Sequence, residues 1–221
     1  MTEYDAVLFD SDGVLVEPPT YEPMADATRR TFRSMGVGDV AQPHIDAVVD
    51  DESLDADSLA ELCAGYDIDP TEFWETRERY DEQSQIEAFR AGTRTRYDDV
   101  SSLADVRLPC GVVSNNHHAI IEFKLDFFEM APLFETHFGR PRTVESLRLM
   151  KPNPHYIERA MADLDASSAL YVGDKESDVL AAHRAGLDSA LIRRDSLPAV
   201  ECSVTPTHEI ETLESISELV T

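Results

Sequence analysis

The sequence predicts an α/β fold in which a parallel-sheet core carries an inserted helical segment, and three observations predict it. Short apolar runs end in polar, turn-forming residues at Ala6-Val7-Leu8-Phe9, Cys110-Gly111-Val112-Val113 and Ala169-Leu170-Tyr171-Val172, as buried parallel strands do. Stretches with helical periodicity separate the later runs. Between about residues 20 and 92 the pattern is helical throughout, with no convincing strand. A length of 221 residues suits one medium core with a smaller inserted unit, or two small domains.

The first apolar run leads into Asp10-Ser11-Asp12-Gly13-Val14-Leu15. In open α/β sheets the ligand crevice lies at the carboxyl ends of the strands, so Asp10 and Asp12 are delivered there. Two carboxylates so placed repel unless one holds a proton or a cation sits between them. The chain has four Asp-x-Asp pairs, at 10/12, 55/57, 67/69 and 163/165. Only the first follows an apolar strand and precedes a glycine; the others read as solvated helix ends and turns.

Glu17-Pro18-Pro19 punctuates the exit from this loop. Helices follow over 22–35, 42–50, 55–65 and 71–91, with Gly36 and Gly38 ending the first and Asp69-Pro70 opening the last. In the last helix Phe73, Trp74, Tyr80, Ile86 and Phe89 read as packing residues, and Arg77, Arg79 and Arg90 as surface ion-pair partners. The expected division is residues 1–16 as the first core segment, 17–96 as the helical insertion and 97–221 as the rest of the core. Arg94 and Arg96, near the return to the core, read either as surface pairs or as contacts to an anionic substrate.

Leu103 to Val106 is expected to be helical. The strand Cys110–Val113 ends at Ser114-Asn115-Asn116, after which Ile120, Ile121, Leu125 and Phe128 recur at helical spacing. The polar triplet therefore sits between a strand end and a helix start, where backbone N–H groups can hold an anion or a side chain can simply cap the helix. His117 and His118 have no metal-ligand spacing and read as surface positions. A strand is expected over Leu133–Phe138, followed by a polar connection from Gly139 to Leu149. Lys151-Pro152-Asn153-Pro154 opens a helix, with Asn153 as its cap, Pro154 at its first position and Tyr156, Ile157, Ala160, Met161 and Leu164 as its apolar stripe. The strand Ala169–Val172 runs into Gly173-Asp174-Lys175-Glu176-Ser177-Asp178. A helix from Ser177 to Ala185, a strand Ser189–Ile192 and a short closing helix carrying Leu213, Ile216 and Val220 complete the chain.

Taken in order, Asp10-Ser11-Asp12-Gly13, Ser114-Asn115-Asn116, Lys151-Pro152 and Gly173-Asp174-Lys175-Glu176-Ser177-Asp178 resemble the four motifs of the haloacid dehalogenase-like hydrolase superfamily. The resemblance is to members with a helical cap inserted after the first motif, and it covers essentially the whole chain. It implies a Rossmann-like doubly wound parallel sheet and a Mg²⁺-dependent phosphatase acting on a small phosphorylated metabolite. Asp10 would attack phosphorus and carry an aspartyl-phosphate, which splits one hard displacement into two easier ones. Asp12 would protonate the leaving oxygen and then take a proton from water, its proton affinity raised by neighbouring negative charge. Ser114, through its hydroxyl, and Asn115, through its backbone N–H, would meet the phosphoryl oxygens. Lys151 would set a compact positive charge against the nucleophile and the phosphoryl group. Mg²⁺ would be held by Asp10, Asp174 and the backbone carbonyl of Asp12, with Asp178 binding directly or through water. Asp178 lies one helical turn beyond Asp174, so both can face one crevice. Glu176 would assist the metal, and Lys175, at a position the family varies, is excluded from catalysis.

The same resemblance leaves a β-phosphoglucomutase-like transfer as the alternative activity and a catalytically silent binding relative as a non-enzymatic one; a receiver domain, a phospho-Asp signalling module of another class, is fitted poorly by the order of the acidic pairs and the long helical insertion. Metal-free dehalogenases lack the acid at Asp12, and phosphonatase chemistry needs a lysine in the cap, whereas none precedes Lys124. Ser11 departs from the bulky apolar residue usual between the two aspartates, and Glu17-Pro18-Pro19 from the usual exit.

Composition bounds the partners. The 19 basic against 44 acidic residues give a net charge of −25, which excludes nucleic acid and anionic membrane as partners. No stretch approaches the apolar length of a membrane helix, and Met1-Thr2-Glu3-Tyr4-Asp5 carries no basic region, so a soluble cytoplasmic protein is expected, monomeric or weakly homo-oligomeric. Cys63, Cys110 and Cys202 support neither a zinc ribbon nor a disulfide framework. Only Lys124, Lys151 and Lys175 are lysines; the other basic residues are arginines. Such an acidic, lysine-poor chain suits concentrated salt, where a Debye length of about 3 Å at 1 M screens self-repulsion, the alternative being an ordinary acidic cytosolic protein. Melting temperature and turnover are therefore expected to fall on desalting. Unchanged values of both in dilute buffer would contradict salt adaptation.

Overall fold

Strand β1 (Ala6–Phe9) is apolar and buried along its whole length, and it has a strand on either side of it. The computed structural model describes residues 4–50 and 53–220. Among these, β1, β2 (Cys110–His117), β3 (Thr136–Arg140), β4 (Ala169–Gly173), β5 (Asp188–Ile192) and β6 (His208–Ile210) form one sheet in the order β3-β2-β1-β4-β5-β6. Every pairing is parallel, and Leu8 lies opposite Gly111 on one side and Tyr171 on the other. The chain builds outward from β1 to β3, then crosses back to place β4 against the other edge of β1. That reversal creates a crevice at the carboxyl ends of β1 and β4, where ligands bind in open α/β sheets.

Three core elements differ from their expected form. Strand β2 runs on through Ser114-Asn115-Asn116 to His117, with a register shift against β3 between Val113 and His117. The polar triplet is thus an irregular strand end. His117 is buried, pairs in register with Arg140 and is the N-cap of α5 (His118–Phe127), so it is no surface residue. Strand β3 begins later than expected because Ala131–Leu133 forms a short 3-10 turn. Strand β6 has no apolar run to announce it; the register Ala190 to His208 through Ile192 to Ile210 extends the edge of the sheet. The segment around Leu103 is a 3-10 helix, Asp98–Asp105.

Helix α6 (His155–Asp163) starts one residue after its expected first position, with Pro154 as N-cap, and Asn153 Oδ1 accepts the His155 N–H at 3.0 Å. Helix α7 (Glu176–Arg184) follows β4, and α8 (Ile216–Leu219) closes the described chain.

The insertion contains α1 (Tyr21–Ser34), α2 (Gln42–Val49), α3 (Ala56–Ala64) and α4 (Pro70–Arg90). Asp55 and Asp69 are helix caps: Asp55 accepts the N–H groups of Asp57 and Ser58, and Asp69 that of Glu72. Phe32 of α1 packs against Phe73 and Tyr66 with ring centroids 4.7 and 5.1 Å away. Helix α4 also buries Thr76, Arg77, Glu78, Asp81 and Gln85. Arg77 pairs with Glu78 at 2.8 Å, as an ion pair inside the protein and not on its surface. Arg94 is buried as well, lying over the Phe89 ring and donating to Gln85 Oε1 at 3.1 Å.

Two compact units result. The core comprises the chain through Pro18, Thr95–Arg140 and the chain from Met150, and the helical unit comprises Pro19–Arg94 together with Pro141–Leu149. The boundaries at Pro18 and Thr95 have a physical cause. Glu17 N–H donates to Thr95 O at 2.9 Å, Tyr97 N–H to Leu15 O at 3.0 Å, and the Glu17 carboxylate accepts the Thr95 N–H at 2.8 Å. Residues on both sides of the insertion are thereby zipped together within the core. The polar connection 141–149 belongs with the helical unit, where Arg142 pairs with Glu82 and Arg148 donates to Asp57 at 2.9 Å. Among the described residues no helix is long and apolar enough to cross a membrane.

Phe32 is fully buried at the centre of the helical unit's aromatic cluster. Phe32→Ala is expected to destabilise the protein by about 3–5 kcal/mol, read as a lowered denaturant midpoint. A shift below about 1 kcal/mol would contradict that packing.

Candidate active site

Asp10 follows the last residue of β1, and Ser114 follows Val113 on the neighbouring strand. On the other side of β1, Asp174 follows the last residue of β4, and Asp178 lies in the first turn of α7. Lys151 reaches into this group. Its Nζ is 2.8 Å from Asp10 Oδ1 and 2.6 Å from Asp178 Oδ1, and it donates to the Tyr171 hydroxyl at 2.9 Å and to Val113 O at 3.3 Å. Tyr171 in turn donates to Val113 O at 2.9 Å. Lys151 is 5% exposed, so these contacts form with little competing water.

Backbone groups orient the remaining members. Asp178 Oδ2 accepts the N–H groups of Asp174 and Lys175, each at 3.1 Å, as an acidic residue in a first helical turn does. Asn115 clamps the Lys151 backbone: its Oδ1 accepts Lys151 N–H at 2.7 Å and its Nδ2 donates to Lys151 O at 3.3 Å. Ser114 Oγ accepts the Asn116 N–H at 3.2 Å.

Two glycines make the close approaches possible. A Cβ on Gly13, whose φ is +82°, would meet Asp174 Oδ2 at 2.1 Å, and one on Gly173 would meet Asp178 Cβ at 2.2 Å.

The electrostatics follow from burial. One oxygen each from Asp10, Asp174 and Asp178 lies within 4.8 Å of the others. Burial pushes the Asp174 carboxyl up to about 8, reinforced by the charges of Asp178 and Asp10. Burial also raises Asp10, against the opposing pull of Lys151. Lys151 is held well above its ordinary value: burial works against its charge, and Asp10 and Asp178 outweigh it. Asp174 Oδ1 is buried with no hydrogen-bond partner. Three clustered hard oxygen donors, one of them unsatisfied, fit a divalent cation such as Mg²⁺.

Asp12 has a different setting from the one the sequence suggests. It is not among the clustered carboxylate oxygens; instead Lys124 Nζ donates to its Oδ1 at 2.8 Å and its Oδ2 at 2.9 Å. An ammonium thus sits at its carboxylate, in addition to the negative charge of Asp10 with which Asp12 interacts. Asn116 Nδ2 donates to Asp12 Oδ2 at 3.0 Å. Glu176 turns away from the cluster to accept the Ser203 N–H at 2.6 Å. Lys175 is exposed and lines a cavity of about 550 Å³ with Asp174, Arg193, Arg194 and Glu211.

Lys124, Asn116 and Tyr171 are the site residues that sequence reasoning missed. Tyr171 is concealed within an apolar strand. Lys124 had a signal, since it occupies a buried position of the stripe marked by Ile120, Ile121 and Leu125. His118, Glu122 and His137 also cluster, but His118 Nδ1 accepts the Gly139 N–H at 3.3 Å. A neutral ring then carries its proton on Nε2, 3.8 Å from Glu122 Oε1, which reads as a surface polar pair.

Comparison with known proteins agrees with this architecture. Residues 7–192 match the family described as haloacid dehalogenase-like hydrolase. No curated protein matches the sequence. Among solved structures, CbbY from Rhodobacter sphaeroides in complex with phosphate is similar, with a TM-score of 0.70, 18% identity and coverage of 96% of each chain. A predicted phosphatase from Clostridium acetobutylicum has a TM-score of 0.66 at 18% identity, over 99% of each chain. YfnB from Bacillus subtilis, bound to magnesium, has a TM-score of 0.61 at 16% identity, again over 99% of each chain.

The Asp174 carboxyl binds its proton more tightly in the folded chain than in the unfolded one. Its contribution to stability is therefore full below the unfolded value of 3.8 and is lost as pH rises through about 8. Metal-free protein in high salt is expected to melt at falling temperature across that window. Asp174→Asn flattens the fall, and added Mg²⁺ raises the melting temperature most at the alkaline end. Equal slopes in the two proteins would contradict the assignment.

Proposed function

The chain belongs to the family of haloacid dehalogenase-like hydrolases, and we propose that it is a Mg²⁺-dependent phosphatase that hydrolyses a small phosphorylated metabolite through an aspartyl-phosphate on Asp10. The observation that carries this reading is the convergence of Asp10, Asp174, Asp178 and Lys151 at the carboxyl ends of β1 and β4, where the ion-pair contacts are 2.6 to 2.8 Å long.

Asp10 is an anionic oxygen nucleophile, and a phosphate monoester is itself anionic, so their approach needs positive charge on the spot. Lys151 supplies one such charge. Bound divalent metal would supply the rest, screening the nucleophile from the phosphoryl oxygens and stabilising the charge that builds on them. Asp10 and Asp174 are the residues to hold it, together with the backbone carbonyl of Asp12 by family resemblance. Asp178, already engaged by Lys151 and two N–H groups, acts as a fixed post beside them.

In the first half-reaction the bond between phosphorus and the leaving oxygen breaks as one forms to Asp10, and Asp12 gives its proton to the leaving oxygen. In the second, Asp12 takes a proton from water as the water oxygen bonds to phosphorus and frees Asp10. Ser114 and the backbone N–H of Asn115 donate to the phosphoryl oxygens. Asn115 also sets the Lys151 backbone through its side-chain amide, so one loop contributes both to phosphate binding and to placing the ammonium.

The test is a screen of phosphorylated metabolites in high salt with Mg²⁺, phosphoglycolate and small sugar phosphates first, reading released inorganic phosphate. Activity is expected to vanish with chelator and to fall by at least about 10⁴-fold in Asp10→Asn. An isomerised sugar phosphate in place of inorganic phosphate would point to the mutase instead. Full activity in Asp10→Asn would remove Asp10 as the nucleophile.

A further inference from the structure

We propose that Lys124 is a positioning residue for Asp12, fixing the direction of the carboxylate that exchanges protons with the leaving group and with water. The inference rests on the phosphatase reading above.

Lys124 lies on α5 in the buried stripe with Ile120, Ile121 and Leu125, and is itself 1% exposed. Helix packing gives no reason for a lysine there, because an apolar side chain would complete the stripe without desolvating an ammonium. The polar surroundings do give one. The ammonium donates to Asp12 Oδ1 at 2.8 Å, Asp12 Oδ2 at 2.9 Å and Ser11 Oγ at 3.2 Å, so its N–H donors are used on the loop that carries Asp12. From β2, Asn116 Nδ2 donates to Asp12 Oδ2 at 3.0 Å, and Asn116 is held in turn because its Oδ1 accepts the His117 N–H at 2.9 Å.

Two core elements therefore grip one carboxylate. The Asp12 side chain remains 18% exposed, so it is held and still accessible. Replacing a buried ion pair by apolar groups is often neutral or stabilising, so stability alone does not call for this pair. What the pair provides is a single orientation, and a misplacement of about 1 Å at a reacting group can cost about 10²-fold in rate.

The two half-reactions locate the effect. Asp12 moves a proton in each, whereas Lys124 gives up none. If Asp12 is misaimed, Asp10 can still attack an ester whose leaving group departs without a proton, but hydrolysis of the aspartyl-phosphate slows. Loss of Lys124 should therefore spare the first step on an aryl phosphate and impair both steps on an alkyl phosphate.

The experiment compares wild type, Lys124→Met, Lys124→Arg, Asp12→Asn and Asp12→Asn/Lys124→Met on p-nitrophenyl phosphate and α-glycerophosphate, with Mg²⁺ and high salt. Lys124→Met should lower kcat on α-glycerophosphate by about 10²-fold, with KM changed by less than about 3-fold. On p-nitrophenyl phosphate it should release a first-turnover burst of nitrophenol at close to the wild-type rate, followed by slow turnover. Lys124→Arg should recover most of kcat, and Lys124→Met should change little further once Asp12 is asparagine. A parallel loss of burst rate and turnover on both substrates, tracking a lowered melting temperature, would make Lys124 structural and overturn the proposal. So would a Lys124→Met kcat on α-glycerophosphate equal to that of an active wild type. A wild type that hydrolyses neither these esters nor any metabolite in the screen would overturn the phosphatase reading, and this proposal with it.

Discussion

The buried ammonium of Lys151, 2.8 Å from Asp10 and 2.6 Å from Asp178, is the contact on which the candidate site depends. Three carboxylates meet there around one lysine, so burial leaves negative charge in excess. That excess is relieved at Asp174, which keeps its proton because its carboxyl is pushed up to about 8, and whose Oδ1 has no hydrogen-bond partner. The fold makes the concentration possible. Parallel pairing of β1 with β4 brings two aspartate-bearing strand ends side by side, and Gly13 and Gly173 let Asp174 and Asp178 approach more closely than any Cβ would permit. Tyr171 and Asn115 set the Lys151 head and backbone respectively.

Much of this was legible in the residues. The apolar runs at 6–9, 110–113 and 169–172 became β1, the first half of β2 and nearly all of β4, because fully buried parallel strands carry their signal in composition alone. The approach of Lys151 to Asp10 was expected from the family resemblance, whereas its contact with Asp178, which was expected to face a metal, was not. Strand β6 was not legible: His-Glu-Ile has no pattern of its own and is a strand only because β5 offers an open edge. The irregular end of β2 was also hidden. Ser114, Asn115 and Asn116 look like a turn, yet tertiary partners in Lys151, Arg140 and Asp12 hold them extended.

Lys124 and Ser11 illustrate why side-chain roles were harder to read than strands. Each breaks a local rule, a lysine in a buried stripe and a serine between two aspartates. Separately neither break has an explanation; together, the hydroxyl receives one of the hydrogen bonds of an ammonium that also donates to both oxygens of Asp12. The helical unit shows the same limit, since the charges of Arg77, Glu78 and Asp81 imply a solvated face while the fold buries them as paired groups. Charge in this chain therefore has two roles. The surplus of acids covers the surface, and the lysines at 124 and 151 are withdrawn from it to balance aspartates inside.

The central claim is that a divalent cation lets the carboxylates beside Lys151 be ionised together in one buried space. Crystals grown in high salt with Mn²⁺ in place of Mg²⁺ test it most directly, through the anomalous scattering of the metal. The account predicts one strong peak within coordination distance of carboxylate oxygens from both Asp10 and Asp174. No peak there at saturating Mn²⁺, or a peak that leaves those two carboxylates uncoordinated, would contradict it.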